Sequence, residues 1–336
     1  MPEDLPPVTA SAERPTLAPN VRGALWMLGS ALGFTVMTTL IKFLGADYPA
    51  ALQTFYRQAA GLLVLAPLIL RDWHGAFHTT RPGILLFRSA VGTLAMILSF
   101  YAFQKLPLAE ANALSFTRTL WMVPLAMFIL REKTGPLRIA AALVGFLGVL
   151  VMLRPGAGDH HGFGMGQLAA LASAAMFATT ITGMKVMTRD HSPFTLLVWS
   201  AVLGLAFSIP GAVFVWRWPD PFDLFLLASM GVFGTITQAC YIKGMQIGDA
   251  GAMAPIDYSR LVFTTATGFF IFHEVPGVAT AIGAGIVVAS TLFITFREQY
   301  VAKQERLAAA ASGHAQEGPG DQRLTAVVEK PDRPAG

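Results

Sequence analysis

Two arginines lie in the middle of long apolar segments, where a charged side chain is expensive. Arg118 lies in SFTRTLW (115–121) and Arg260 in DYSRLVF (257–263), each about ten residues from an end of its segment, or ~15 Å of helix. A guanidinium that deep in a membrane costs ~2.5 kcal/mol or more, so we expect both to face a watery cavity or a partner inside a helix bundle. The alternative is that each arginine is a structural pin, held by a carboxylate or by helix carbonyls.

The charges around these arginines favour an anionic solute. Asp257 precedes Arg260 by three residues, on the same helical face, and is its obvious partner, whereas Ser115 occupies the matching position before Arg118. A third arginine, Arg57, has no arginine at the matching position of the repeat described below, so we expect it to be structural. Three arginines against one aspartate leave a net charge of 3 − 1 = +2 in the membrane interior. A cavity of that sign would favour a carboxylate or a phosphate.

Further polar and aromatic residues add candidate roles. Trp121, one turn beyond Arg118, could stack on a substrate ring or on the guanidinium. Glu110 lies near the outer mouth, and it and Asp257 are the candidate proton-coupling sites. Lys42 ends an apolar segment, so we expect it to be a snorkelling anchor.

Catalytic and metal-binding signatures are absent from the sequence. The single cysteine, Cys240, cannot form an intramolecular disulfide, and no Cys/His cluster, HExxH, GxSxG or P-loop occurs. We therefore expect no metal, no cofactor, no nucleic-acid partner and no enzymatic activity.

The elements that position these residues follow from composition. The 336 residues are 54% hydrophobic and 13% charged, with a mean hydropathy of +0.55, too apolar for one soluble core. Apolar segments of about 20 residues match the length of a membrane-crossing helix. The sequence predicts an all-α membrane protein with ten transmembrane helices, near residues 23–45, 50–70, 82–104, 109–130, 137–153, 164–184, 194–215, 222–242, 250–272 and 277–296. Pro124 and Pro255 should bend the two spans that carry the arginines.

The chain contains an internal repeat. A shift of 143 aligns residues 23–61 with 166–204, and a shift of 142 then pairs Arg118 with Arg260 and Glu132 with Glu274. The repeat predicts two five-helix units, residues 23–153 and 164–296. Because five is odd, the second unit must enter the membrane from the opposite side, as in inverted-repeat transporters.

Loop charge predicts the orientation. With a cytoplasmic N-terminus, the inner flanks carry 13 lysines and arginines and the outer flanks 3, as the positive-inside rule requires. The polar ends, residues 1–22 and 297–336, are expected to be disordered cytoplasmic tails.

Three stretches resemble the drug/metabolite transporter superfamily in its EamA branch, which has two tandem EamA units of five helices. They are LFRSAVGTLAMILSFYAFQKLPLAEANALSFTRTLWMVPLAMFILREK (86–133), AALVGFLGVLVMLRPG (141–156) and IGDAGAMAPIDYSRLVFTTATGFFIFHE (247–274). The resemblance covers roughly residues 23–296, and part of it is similar to members associated with uptake of S-adenosylmethionine or similar metabolites.

The resemblance implies secondary transport by alternating access across a bacterial inner membrane, around a central cavity. It implies that five residues bind the substrate at that cavity: Arg118, Trp121, Asp257, Tyr258 and Arg260. The implied partners are a small molecule with an anionic or zwitterionic group and the lipid bilayer, and a homodimer is left open. Two other functions are left open as well. One is an efflux pump for amphipathic drugs or amino acids, with structural arginines, and the other is a non-transporting membrane scaffold or receptor.

Overall fold

The computed structural model describes residues 19–73, 77, 79, 82–128, 135–153, 164–187, 193–248 and 250–316. Throughout these residues the regular elements are helices, and no strand occurs among them. The helices are α1 (Pro19–Phe43), α2 (Ala50–Arg71), α3 (Pro82–Lys105), α4 (Leu108–Ser115), α5 (Thr117–Phe128), α6 (Pro136–Leu153), α7 (Met165–Met187), α8 (Pro193–Phe214), α9 (Pro221–Ile247), α10 (Ala250–Asp257), α11 (Ser259–Phe272) and α12 (Val278–Gln316). The predicted all-α fold class is confirmed.

The ten predicted spans correspond to these twelve helices because two spans are broken. Six helices, α1, α3, α6, α7, α9 and α12, are each long and apolar enough to cross a membrane, and α8 contributes a shorter apolar segment, Val198–Phe214. The second predicted span is α2. The fourth consists of α4 and α5, and the ninth of α10 and α11, each pair being separated by a single residue.

Helix packing follows the internal repeat. Helix α1 packs along α9, and its repeat counterpart α7 packs along α3, the counterpart of α9. The two remaining extensive pairs, α6 with α12 and α2 with α8, each join an element to its own copy. Contacts therefore run mainly between the two units, as expected for a two-fold related pair of modules.

The ends of the helices show that the second unit is inverted. Lys42, at the carboxyl end of α1, donates a hydrogen bond of 2.6 Å to the carbonyl of Leu106. Gly166, at the amino end of α7, packs so closely on Leu106 that a methyl group on it would lie 2.9 Å from a Leu106 methyl. The carboxyl end of α1 and the amino end of its copy thus meet at one end of the bundle, so the predicted inverted arrangement is confirmed.

The apolar surface of the bundle suits a lipid environment. Leu63, Phe128, Phe214 and Phe270 are 74%, 80%, 89% and 74% exposed. Burying a large apolar side chain contributes ~1.5–3 kcal/mol, so side chains of this kind are expected to be covered by hydrocarbon. The chain is a multi-pass membrane protein.

The ends of the chain differ from the sequence expectation. Helix α1 begins at Pro19, inside the predicted N-terminal tail, and α12 continues to Gln316, so 297–316 is helical where a disordered tail was expected. Residues 1–18 and 317–336 lie outside the described residues. The unit boundaries 23–153 and 164–296 stay predictions.

Candidate functional site

Two helix breaks lie at matching positions of the repeat. Phe116 separates α4 from α5, and Tyr258, 142 residues later, separates α10 from α11. At both breaks the backbone hydrogen bond spans three residues, as in a 3₁₀ turn, and not the four of an α-helix. The N–H of Phe116 donates to the carbonyl of Ala113 at 3.2 Å, and the N–H of Tyr258 donates to the carbonyl of Pro255 at 3.2 Å. Such three-residue bonds are usual where a helix changes course. The breaks place an aromatic ring of each unit inside the bundle.

The two rings stack on each other across the units. The ring centroids of Phe116 and Tyr258 are 4.4 Å apart, with 24° between the ring planes. The guanidinium of Arg260 lies over the Phe116 ring, 4.3 Å from its centroid, and over the Phe34 ring of α1 at 5.0 Å. Arg260 is therefore held against two aromatic rings through cation–π contacts.

Asp257 joins the arginines of the two units. Its Oδ2 lies 3.7 Å from Nη2 of Arg118 and 3.7 Å from Nη2 of Arg260. Charge-assisted hydrogen bonds measure ~2.7–2.9 Å, so both ion pairs are loose and leave donors unused. The three side chains together carry a net charge of 2 − 1 = +1.

Arg260 is buried with unsatisfied donors. The residue is 7% exposed, and its Nε and Nη2 have no hydrogen-bond partner in the described structure. A buried polar group without a partner costs ~1–3 kcal/mol, and more when it is charged. The arrangement can thus accept an anionic oxygen at the edge of the guanidinium.

The other predicted site residues are placed differently. The Tyr258 hydroxyl donates to Thr291 Oγ1 at 2.6 Å, so only its ring belongs to the aromatic stack. Trp121 packs edge-on against Phe146 of α6, with 5.1 Å between ring centroids, and its buried indole N–H has no partner. Among the described residues, no ring stacking or cation–π contact joins Trp121 to the arginine cluster.

Glu110 lies away from the arginine cluster, in the first turn of α4. Gln167 at the start of α7 donates to it at 3.1 Å. The structure therefore brings together Arg118, Asp257, Tyr258 and Arg260, and leaves Trp121 and Glu110 outside that group.

Lys42 is not placed as the expected snorkelling anchor. Its ammonium pairs with Glu274 at the end of α11, in addition to the bond to the Leu106 carbonyl. Glu274 also accepts a hydrogen bond of 2.8 Å from the backbone N–H of Leu108, at the start of α4. Lys42 therefore ties α1, α3, α4 and α11 together at one end of the bundle.

A second tie at this end joins the α1–α2 loop to α9. The Tyr48 hydroxyl donates to Asp223 at 2.8 Å. Burial and the bond to Asp223 raise the pKa of Tyr48 to about 12, so the phenol keeps its proton at neutral pH and remains a donor. Polar contacts therefore join several helices at this end of the bundle.

Sequence reasoning missed Phe116, Phe34 and Arg88. Phe116 was detectable, since the 142-residue shift pairs it with Tyr258. Phe34 gave no signal beyond an apolar residue in an apolar helix. Arg88 of α3, whose Nη1 donates to Ser200 of α8 at 2.6 Å, was within reach because it is a charge inside a predicted span.

A resident metal has no evident ligand set in the described part of the chain, where no cluster of three or more His, Cys, Asp or Glu side chains occurs. The loose ion pairs, the unsatisfied guanidinium and the stacked rings are features of a small organic ligand site: aromatic walls with a few polar groups that converge.

The chain matches known proteins over most of its length. A model of the EamA-like transporter family matches twice, over residues 21–154 and 164–296. The S-adenosylmethionine uptake transporter of Rickettsia prowazekii (strain Madrid E) is 30% identical over 83% of this chain and 94% of its own. The riboflavin transporter of Vibrio cholerae serotype O1 is 27% identical over 85% of this chain and 97% of its own.

Two further matches widen this comparison. Solute carrier family 35 member G1 of Homo sapiens is 28% identical over 83% of this chain and 80% of its own. One solved crystal structure superposes with a TM-score of 0.57 at 21% identity, over 83% of this chain and 98% of that chain. At that identity the superposition bears on the fold alone.

Proposed function

Because the chain belongs to the EamA-like transporter family, we propose that it moves a small metabolite across a bacterial inner membrane by alternating access, with the substrate bound at the broken helices. The observation that supports this site is the buried Arg260, whose Nε and Nη2 have no hydrogen-bond partner in the described structure. Its location beside two stacked rings, at matching breaks of both units, gives a substrate contacts with both halves.

The substrate class we propose is a flat ring system joined to a carboxylate. Phe116 and Tyr258 offer aromatic surface for the ring, while Arg118 and Arg260 offer donors for the carboxylate. Asp257 offers the one negative charge of the cluster, which would suit an ammonium or sulfonium group. S-adenosylmethionine, which a 30% identical relative takes up by name, combines all three features.

Two predicted residues complete the proposal. Trp121 would contact the substrate only after a change in its packing on Phe146, so we give it a secondary binding role. Asp257 and Glu110 remain the candidate proton-coupling carboxylates, of which Asp257 is the one beside the arginines. A proton arriving on Asp257 would release both guanidinium groups.

The orientation rests on the positive-inside rule. With both termini cytoplasmic, the Lys42–Glu274 end of the bundle would face the periplasm, and this ion pair would help to hold that side closed. Opening would separate Lys42 from Glu274 while the two units rotate about the central cluster. The cycle uses one chain, no nucleic acid and no catalytic step, and a homodimer would not need to share a site.

Uptake into proteoliposomes tests this function. The purified full-length protein is reconstituted and initial rates are measured with labelled S-adenosylmethionine, with unlabelled riboflavin as competitor. Replacing Arg260 with Gln should lower uptake about tenfold or more, because one charged contact in the bundle is worth at least ~1.4 kcal/mol. Arg260→Lys should restore part of it.

Arg138→Gln is the matched control, since Arg138 lies at the start of α6 and pairs with Glu298 of α12 at 2.5 Å, not with the residues at the breaks. It should change the rate less than twofold. If Arg118→Gln and Arg260→Gln proteins insert normally yet transport at the original rate, the site assignment is wrong.

A second candidate is export of amphipathic compounds with structural arginines. It is favoured by Asp257, which already pairs both arginines as a purely structural cluster would. In that case everted vesicles should accumulate amphipathic dyes, and the Arg118 and Arg260 variants should do so as fast as the unmodified protein. A scaffold or receptor would move no solute in either assay.

A further inference from the structure

Arg57 is a half-buried cation outside the central cluster. It lies on α2, and its Nη1 donates to Gln58 Oε1 at 2.9 Å and to the sulfur of Met96 at 3.2 Å. Within the described residues no carboxylate lies within 4.0 Å of it. Its charge is thus answered only by neutral groups.

Among the described residues, Arg57 shares the lack of a carboxylate partner with Arg88, whose Nη1 donates to Ser200, whereas the other basic residues inside the bundle are paired. Arg118 and Arg260 share Asp257, Arg138 has Glu298, and Lys42 has Glu274. An uncompensated charge inside a membrane bundle is costly, and such residues mark solute pathways. A purely structural role would not need the charge, since the repeat places the neutral Ser200 at the matching position.

Helix α9 leaves space for this guanidinium. A Cβ on Gly234 would lie 3.0 Å from Nε of Arg57 and 3.2 Å from its Nη2. The same Cβ would lie 3.2 Å from the sulfur of Met37 on α1. Groups from α1, α3 and α9 therefore lie around Arg57, which is half-buried.

Helix α1 runs past both Arg57 and the central cluster. Arg260 lies against Phe34, and Arg57 approaches Met37 across Gly234. Phe34 and Met37 are three residues apart on α1, which corresponds to ~4.5 Å along the helix axis. Phe34, beside Arg260, and Met37, which flanks Gly234 together with Arg57, thus lie about one helical turn apart on α1.

We propose that Arg57 binds an anionic group of the transported solute, separate from the group that Arg118 and Arg260 hold. The inference rests on the proposed function and narrows it: the protein prefers nucleoside-like solutes that carry a phosphate or carboxylate over the same solute without it. Binding of the solute would then neutralise the positive charge of Arg57, which has no carboxylate partner among the described residues.

A matched ligand pair tests the proposal. Adenosine and adenosine 5′-phosphate share the ring and differ by the phosphate, and their dissociation constants are measured by calorimetry on the full-length protein in detergent. The unmodified protein should bind the phosphate-bearing ligand about tenfold or more tightly, which is the effect of one charged contact. Arg57→Gln should reduce that preference to within about threefold.

Two variants keep the result interpretable. Arg57→Lys retains the charge and should keep part of the preference, which separates charge from packing. Arg88→Gln removes another half-buried arginine with a neutral partner, Ser200, and should leave the preference unchanged. Melting temperatures of all variants check that each is folded.

The outcomes separate the two proposals. A preference that survives Arg57→Gln but disappears in Arg260→Gln would overturn the role of Arg57 and leave the proposed function intact. An unmodified protein that binds both ligands equally, or neither, would also overturn it, while uptake of S-adenosylmethionine would still decide the proposed function by itself.

Discussion

The two helix breaks have the same backbone arrangement but different side chains. Both have a single residue between two helices, an aromatic ring at that residue and an arginine two residues later. The second break carries Asp257 where the first carries Ser115, and Arg260 has a side chain only 8% exposed against 32% for Arg118. The repeat therefore supplies the scaffold, and the departures from the repeat make the proposed site asymmetric.

Ser115 illustrates what the first break lacks. Its hydroxyl donates to the carbonyl of Asn112, three residues earlier in the same helix, at 2.7 Å. Asn112 in turn donates to Thr264 of α11 at 3.0 Å. The first break thus makes neutral contacts that join the units, whereas the second brings the carboxylate that neutralises one of two arginines.

Removing that carboxylate should give the largest effect. In Asp257→Asn, two guanidinium groups lose their only described anionic partner, and breaking such a pair costs ~2–5 kcal/mol. We expect a melting temperature several degrees lower and uptake of S-adenosylmethionine reduced about a hundredfold. Glu298→Gln removes the exposed partner of Arg138 and should behave nearly as the unmodified protein. Equal behaviour of the two variants would show that Asp257 is not the source of the asymmetry.

Replacing the ring of the first break should give an intermediate effect. Phe116→Leu keeps apolar bulk but loses the stack on Tyr258 and the cation–π contact with Arg260, together ~1–2 kcal/mol. Ligand binding measured by calorimetry should weaken about tenfold. Phe116→Tyr makes the first break resemble the second and should bind within about threefold of the unmodified protein. If Leu and Tyr variants bind alike, the stack is not part of the site.

The smallest effect should come from Ser115. Ser115→Ala removes a local bond to the helix backbone, which contributes ~0.5 kcal/mol or less. Uptake should stay within twofold and the melting temperature within a degree or two. A loss comparable to that of Asp257→Asn would mean that both breaks contribute equally and that the asymmetry described above has no functional weight.

Part of the proposed site was predictable because a charged side chain within an apolar segment is energetically unfavourable, and this can be recognised from the neighbouring residues alone. Arg118 and Arg260 were identified because a charge amid apolar residues is unfavourable wherever the fold places it. Tyr258 entered through family resemblance, and its matched partner Phe116 was overlooked although the same shift pairs them. Pro124 and Pro255 predicted that the two spans carrying the arginines would be bent, and both spans are broken, at Phe116 and at Tyr258.

Other features depended on contacts that the sequence does not encode locally. Lys42 was expected to extend toward the membrane surface, and it instead pairs with Glu274, which is 232 residues away. Arg57 was expected to be structural, and only the neutral character of its partners and the space beside Gly234 suggest another role.

The sequence by itself determined the class of protein, the positions of its ten spans, the duplication and the inversion of the second unit. Those properties follow from segment length, apolar content and an odd number of crossings, all of which can be counted along the chain. Only the tertiary structure decided that Arg118 of one unit shares Asp257 of the other, and that Phe116 lies against Tyr258. Such pairings join residues about 140 positions apart, and they depend on how two inverted helix bundles pack, which no local pattern specifies.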